Sequence, residues 1–248
     1  MRARLAVTAV LLHATLIVPG RTVLAQDDGN WHVSLTPYLW LAGMTGRLGF
    51  GGSIADIDLS AGDVLDQSDI TLTALLEARR GRWLTRLDLK YLSASQRFEE
   101  GGGTGSVLFE LEQTMLQPEL GYVVIVAPWG GVDALAGGRY WHPQVDVTAE
   151  GVGGPIDISS GSRSWFDGTV GVRVRGQPAP KWRLVAKGDL GAGGSQFTWQ
   201  ATGAVGFDLS TCCSAVAAYR HLDVDYDRDA FVADIYLSGF ALGLEIRF

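Results

Sequence analysis

Gly239-Phe240-Ala241-Leu242-Gly243-Leu244-Glu245-Ile246-Arg247-Phe248 closes the chain, and its reading decides the fold. The even positions are Phe240, Leu242, Leu244, Ile246 and Phe248; the odd ones are Gly239, Ala241, Gly243, Glu245 and Arg247. Side chains alternate across an extended strand, so one face here is wholly apolar and the other small or charged. A soluble domain seldom stops inside a strand on an aromatic residue, because termini fray. The apolar row therefore suggests a strand with lipid on one side.

Working back toward the N-terminus, the same split recurs. In residues 31–42, Trp31, Val33, Leu35, Leu39 and Leu41 oppose His32, Ser34, Thr36, Tyr38 and Trp40. Ile70, Leu72, Ala74, Leu76 and Ala78 oppose Thr71, Thr73, Glu77 and Arg79, and Trp83, Leu87, Leu89 and Tyr91 oppose Arg86, Asp88 and Lys90. Val107, Phe109, Leu111 and Met115 oppose Glu110, Glu112 and Thr114, after which the phase slips near Leu116-Gln117-Pro118, as a bulge would make it. Asp133 and Arg139 share a face of residues 132–141. Phe166, Val170, Val172 and Val174 oppose Asp167, Arg173 and Arg175; Leu184, Ala186 and Leu190 oppose Arg183, Lys187 and Asp189. Phe197, Trp199 and Val205 oppose Thr198 and Gln200, and a strand near Arg220 precedes the last.

About ten such segments alternate between short connections (80–82, 127–131, 176–181, 210–214) and longer ones (43–69, 99–105, 146–162, 223–229), with Gly193-Gly194-Ser195 a tight exception. Short turns at one end and long loops at the other predict an all-β, transmembrane up-and-down antiparallel β-barrel of about 10 strands, in a range of roughly 8–12, with both termini in the periplasm. Aromatic residues near strand ends, among them Trp31, Tyr38, Trp40, Trp83, Trp129, Trp141, Trp165 and Trp182, are expected to form interfacial girdles.

Composition agrees. Of 248 residues 47% are hydrophobic and only 19% charged, and 33 are glycine, about twice the usual ~7%. The formal charge of -7 lacks the basic footprint of a nucleic-acid binder, so no nucleic-acid partner is expected. Residues 1–25 read as a signal peptide: Arg2 and Arg4 lead an apolar run over 5–18, and Val23-Leu24-Ala25 offers a cleavage site. Removal after Ala25 would leave one domain, 26–248, in the cell outer membrane. No stretch approaches the ~18 apolar residues of a spanning helix. The adjacent Cys212 and Cys213 cannot staple distant segments.

Several segments resemble small outer-membrane β-barrel proteins of Gram-negative bacteria, of the porin-like and OmpA-like kind. They are residues 31–46 (WHVSLTPYLWLAGMTG), 76–83 (LEARRGRW), 137–141 (GGRYW), 218–222 (AYRHL) and 243–248 (GLEIRF). Ala218 stands where such families often carry Gly. The resemblance implies location and architecture, and a terminal strand (Phe240, Leu242, Leu244, Ile246, Phe248) read by the barrel-assembly machinery. It brings no catalytic residues.

With apolar faces toward lipid, the lumen is expected to receive Glu77, Arg79, Arg86, Asp88, Lys90, Glu110, Glu112, Asp133, Arg139, Asp167, Arg173, Arg175, Lys187, Asp189, Arg220, Glu245 and Arg247. In so narrow a barrel these mixed charges should pair and fill the bore. The leading reading is a structural or interaction barrel with a charged, plugged lumen. A small diffusion pore lined by the same residues is the alternative. A rim hydrolase pairing His142 or His221 with Asp146 or Asp223 is a third, weakened because neither H-E-x-x-H nor G-x-S-x-G occurs; no enzyme, cofactor or metal is expected.

The acidic run Asp223, Asp225, Asp227, Asp229 fails the EF-hand pattern, with Arg228 where Gly should stand and Asp234 where Glu should, and reads as a solvated loop. The glycine pairs around 51 and 102 lack the context of a phosphate-binding loop and read as turns. Residues 63–67 read as a helical turn in the first long loop. The expected partners are outer-membrane lipid and lipopolysaccharide.

Overall fold

The computed structural model describes residues 29–50, 53–66, 68–99, 105–151, 154–228 and 231–248. The expected signal peptide, and the glycines at 51–52 and 101–103, lie outside them. Twelve strands form one antiparallel sheet: β1 (His32–Phe50), β2 (Ser53–Leu59), β3 (Ser68–Arg80), β4 (Trp83–Glu99), β5 (Gly105–Ala127), β6 (Gly130–Gly151), β7 (Gly154–Ser162), β8 (Trp165–Ala179), β9 (Trp182–Gly193), β10 (Phe197–Asp208), β11 (Cys213–Arg228) and β12 (Phe231–Arg247). One short helix, α1 (Ala61–Asp66), falls where the sequence places a helical turn. Ser60 caps it: its hydroxyl accepts from the Asp63 amide while the Asp63 carboxylate accepts from the Ser60 amide and hydroxyl.

Pairing of β12 with β1 closes the sheet into a barrel, in register from Ser34↔Arg247 to Phe50↔Phe231. Ten strands make the wall; β2 and β7 are hairpin partners rising beside β1 and β6. On its β3 side β1 pairs only from His32↔Arg79 to Pro37↔Ala74. Pro37 has no N–H to continue that ladder, and where the strands part the Thr73 hydroxyl donates to the Tyr38 carbonyl.

The four short connections lie together at one end, with the termini. Gly81, at φ 56°, supplies the left-handed residue of the β3–β4 turn. At the other end the wall is uneven. β5 and β6 run 23 and 22 residues, about twice the ~9–11 needed to span a bilayer, whereas β9 and β10 stop at 12 each.

The outward face carries the apolar row of the ten wall strands within the membrane-spanning band. Phe240, Leu242, Leu190, Val170 and Leu72 are all more than half exposed, an arrangement stable only against hydrocarbon. Trp31, Trp83, Trp129 and Trp182 ring the short-turn end of this face. Phe166 lies over Gly138, where an added Cβ would sit 1.9 Å from the ring.

Three expectations need correction. The bulge in β5 sits between Val123 and Ile125 in its pairing with β6, while pairing with β4 runs unbroken through residues 116–118. Odd positions of β5 from Leu111 to Val123 therefore face inward, and Glu110 and Glu112 stand outward and exposed, not in the lumen. Residues 223–228 are strand rather than loop; Asp223, Asp225 and Asp227 face outward opposite Tyr236, Asp234 and Val232. And Tyr38, Trp40, Trp141 and Trp165 belong to no girdle, because their positions point inward.

Candidate functional site

Register builds the lumen. Cross-strand partners share a face, and Glu77↔Arg86, Arg86↔Glu119 and Asp133↔Arg173 put opposite charges side by side. From these contacts a continuous lattice grows. Arg139 reaches Asp189 at 2.5 Å and Thr198 at 2.6 Å. Lys187 bridges Asp189 (2.8 Å) and Glu119 (2.7 Å), and Glu119 takes Arg86 at 2.7 Å. Arg86 then lies 3.3 Å from Glu77, which binds Arg173 at 2.5 Å; Arg173 and Arg175 meet on Asp133 at 2.8 and 2.7 Å. Gln117 donates to Glu119 and Asp189, and Gln200 to Asp189, each at a carboxylate oxygen that Lys187 also holds.

A second cluster centres on Asp88, which accepts from Tyr38 at 2.6 Å and pairs with Lys90 (2.8 Å) and Arg220 (3.1 Å). The Arg220 guanidinium also lies over the rings of Tyr38 and Trp40. At the short-turn end Arg183 pairs with Glu245 and Asp208, and Arg247 with Asp208. Asp167 ties down the tight β9–β10 connection by accepting from the amide and hydroxyl of Ser195, each at 2.8 Å.

Fifteen of the seventeen expected charges thus point inward; Glu110 and Glu112 do not. Sequence reading also left out Tyr38, Gln117, Glu119, Arg183, Thr198 and Gln200. The signal for Gln117 and Glu119 was their parity with Met115, hidden by the supposed slip at Pro118. Arg183 shares its face with Lys187 and Asp189 in the sequence itself.

Exposure changes along the bore. Arg139, Gln117 and Asp133 are at 0%. Toward the short turns the side chains of Arg79, Arg175, Arg183 and Arg247 rise to 20–29%, and the first three line a cavity of 340 Å³. Toward the loops an apolar cluster takes over: Met115, Trp141, Trp165, Leu222, Val224, Tyr226, Phe231 and Ala233, flanked by Trp40, Leu48, Ile235 and Leu237. Trp165 is its hub, with ring centroids 5.6 Å from Trp141 and 4.3 Å from Tyr226.

Outside the bore, chemistry is sparse. His142 Nδ1 lies 2.7 Å from the Ser164 hydroxyl, while Asp146 accepts from Gln144. His221 stacks between Trp199 and Tyr236. The rim histidines are therefore held by a serine and by rings rather than by the acids expected beside them. Among the described residues no group of three or more His, Cys, Asp or Glu could hold a metal. Cys212, in the β10–β11 turn, and Cys213, the first residue of β11, are free thiols with sulfurs 3.2 Å apart.

A closed ten-stranded antiparallel barrel, apolar without and charged within, is a transmembrane β-barrel. Its structural neighbours are Gram-negative outer-membrane barrels. The outer-membrane protease OmpT from Escherichia coli superposes with a TM-score of 0.53 at 9% identity, over 92% of this chain and 100% of that one. The translocator domain of the autotransporter NalP from Neisseria meningitidis gives 0.44 at 14%, covering 90% and 91%, and Ail of Yersinia pestis 0.32 at 13%, covering 88% and 98%. The likeness to OmpT is one of fold alone. No protein-family model and no curated protein matches the sequence.

Proposed function

We propose that this chain is an integral outer-membrane barrel, exported by a signal peptide cleaved after Ala25, that acts as a structural and interaction scaffold with a lumen closed to solutes. The single observation that carries this reading is the near-zero exposure of Arg139 (0%), Gln117 (0%) and Asp189 (3%) at mid-bore. A conducting pore wets the groups that line it. Here each carboxylate of the lattice holds at least one cation, which offsets its desolvation. Termini and short turns face the periplasm, the raised hairpins face outward, and the wall meets lipid and lipopolysaccharide. The alternating terminal strand suits recognition by the assembly machinery.

No catalytic role is assigned. OmpT carries the word protease in its name, but at 9% identity nothing beyond the fold passes to this chain. The test is single-channel recording in planar bilayers on protein refolded in detergent, its fold verified by heat-modifiable migration. Silent bilayers are expected. Reproducible conductance steps that change on Arg173→Ala would overturn the closed lumen in favour of a pore.

A further inference from the structure

The short-turn cavity has a charge sign opposite to the protein that holds it. The chain is formally -7, yet seven cations line the cavity against Glu77, Asp88 and Glu245; even with Glu119, Asp133, Asp189 and Asp208, which also hold these cations, seven carboxylates are shared among ten cations once Lys90, Arg139 and Arg247 are counted. The carboxylates are oversubscribed: Arg79, Arg173 and Arg175 all converge on Asp133, at 3.9, 2.8 and 2.7 Å, and two of the three also share Glu77.

A second observation is independent of charge counting. Among the buried side-chain atoms with no hydrogen-bond partner are Arg220 Nε, Thr202 Oγ1 and Gln200 Oε1, and all three residues line this same cavity. Buried polar atoms are ordinarily satisfied, and a group of orphans around one void marks a place for a missing partner. The void of 340 Å³ falls at the small end of ligand sites.

We propose that this vestibule binds the dianionic phosphoryl group of inorganic phosphate or a small phosphate monoester entering from the short-turn side. Guanidinium forks match the oxygen spacing of phosphate, and a multivalent anion is what a surplus of fixed cations favours. Arg79 and Arg175, the most accessible of the converging arginines, grip the oxygens. Arg220 Nε and the Thr202 hydroxyl donate from the cavity wall, and Gln200 Oε1 is free to accept from a hydroxyl of an ester. The site does not require a closed lumen: bilayer recording reads that question, and binding reads this one.

The experiment is isothermal titration of detergent-refolded protein with inorganic phosphate in one arm and glycerol 3-phosphate in the other. Saturable one-to-one binding is expected in at least one arm. Arg79→Gln, whose loss leaves Glu77 and Asp133 their shorter partners, should weaken it tenfold or more; Thr202→Val should weaken it by a smaller factor; outward Glu110→Gln should change nothing. Tighter binding of phosphate assigns the free ion, and tighter binding of the ester an esterified source. No saturable heat in either arm, or binding indifferent to both Arg79→Gln and Thr202→Val in protein that keeps its heat-modifiable shift, overturns the proposal.

Discussion

The two halves of the lumen fill the same space by opposite means. At mid-bore, Arg139, Asp189, Lys187 and Glu119 form a lattice of ion pairs with hydrogen bonds from Gln117 and Gln200. One level toward the loops, Trp141, Trp165, Tyr226 and Phe231 pack as in the core of a water-soluble protein. The difference teaches that alternation along a strand says which face a residue is on, and nothing of what that face meets at a given height. Where the outer face touches hydrocarbon, the inner one can be polar because its charges answer each other across the bore. Where the long strands rise past the membrane, the outer face is wet and polar, as at Asp223 and Glu110, and the apolar residues move inside.

The largest expected effect breaks the charged half. Arg139→Ala takes the closest cation from Asp189 and leaves it Lys187; with the buried guanidinium's contacts also lost, the cost approaches the ~3–5 kcal/mol of a broken buried pair, to be read as a lower urea midpoint for the barrel in detergent. Trp165→Ala attacks the other half, where deleting a buried indole costs up to about 3–5 kcal/mol. It should nevertheless leave bilayers silent, because the Arg139 level stays intact; conductance from this variant alone would mean that the aromatic half is the true seal. Sharper still is a pair on one strand. Glu119→Gln, inward, should destabilise by about 1–3 kcal/mol, while Glu110→Gln, outward, should stay within about 0.5 kcal/mol; equal effects would dissolve the distinction between faces.

The smallest effect lies in the first loop. Hydrogen bonds from the Ser60 hydroxyl and amide hold the Asp63 carboxyl below its usual pKa. A carboxylate depressed in this way stabilises α1 fully above the unfolded value of about 3.9 and loses that contribution as pH falls through the lower folded value. The protection factor of the Ser60 amide against hydrogen exchange should fall over that acid range and stay constant above it.

Much of this was legible beforehand. Period-2 alternation gave the barrel, the short turns and most inward charges, because a strand with lipid on one side cannot hide its parity. What it concealed had physical causes. Pro118 looked like an interruption, so Gln117 and Glu119 lost their phase and Glu110 and Glu112 took the wrong one, yet the β4–β5 ladder passes through unbroken. Trp141 and Trp165 looked like girdle residues because their neighbours are interfacial; only the heights of β6 and β8 place them above the charges, facing in. Pairings such as Arg139 with Asp189, fifty residues apart, follow from three-dimensional closure that no local pattern encodes.

The split pairing of β1 has a consequence for the order of events. Six residues of β1 meet β3, its next barrel neighbour in the chain, whereas fifteen meet β12, nearly two hundred residues later. Hairpins elsewhere in the wall can zip locally and early. The opening strand can do so only through its hairpin with β2, over Met44–Phe50; its other edge stays bare until the closing strand arrives, a slow, entropically costly encounter. Birth order and completion are thereby reversed: the strand made first is among the last to be secured, and a nascent chain interrupted before residue 231 would hold an unfinished edge open to any other strand that passed.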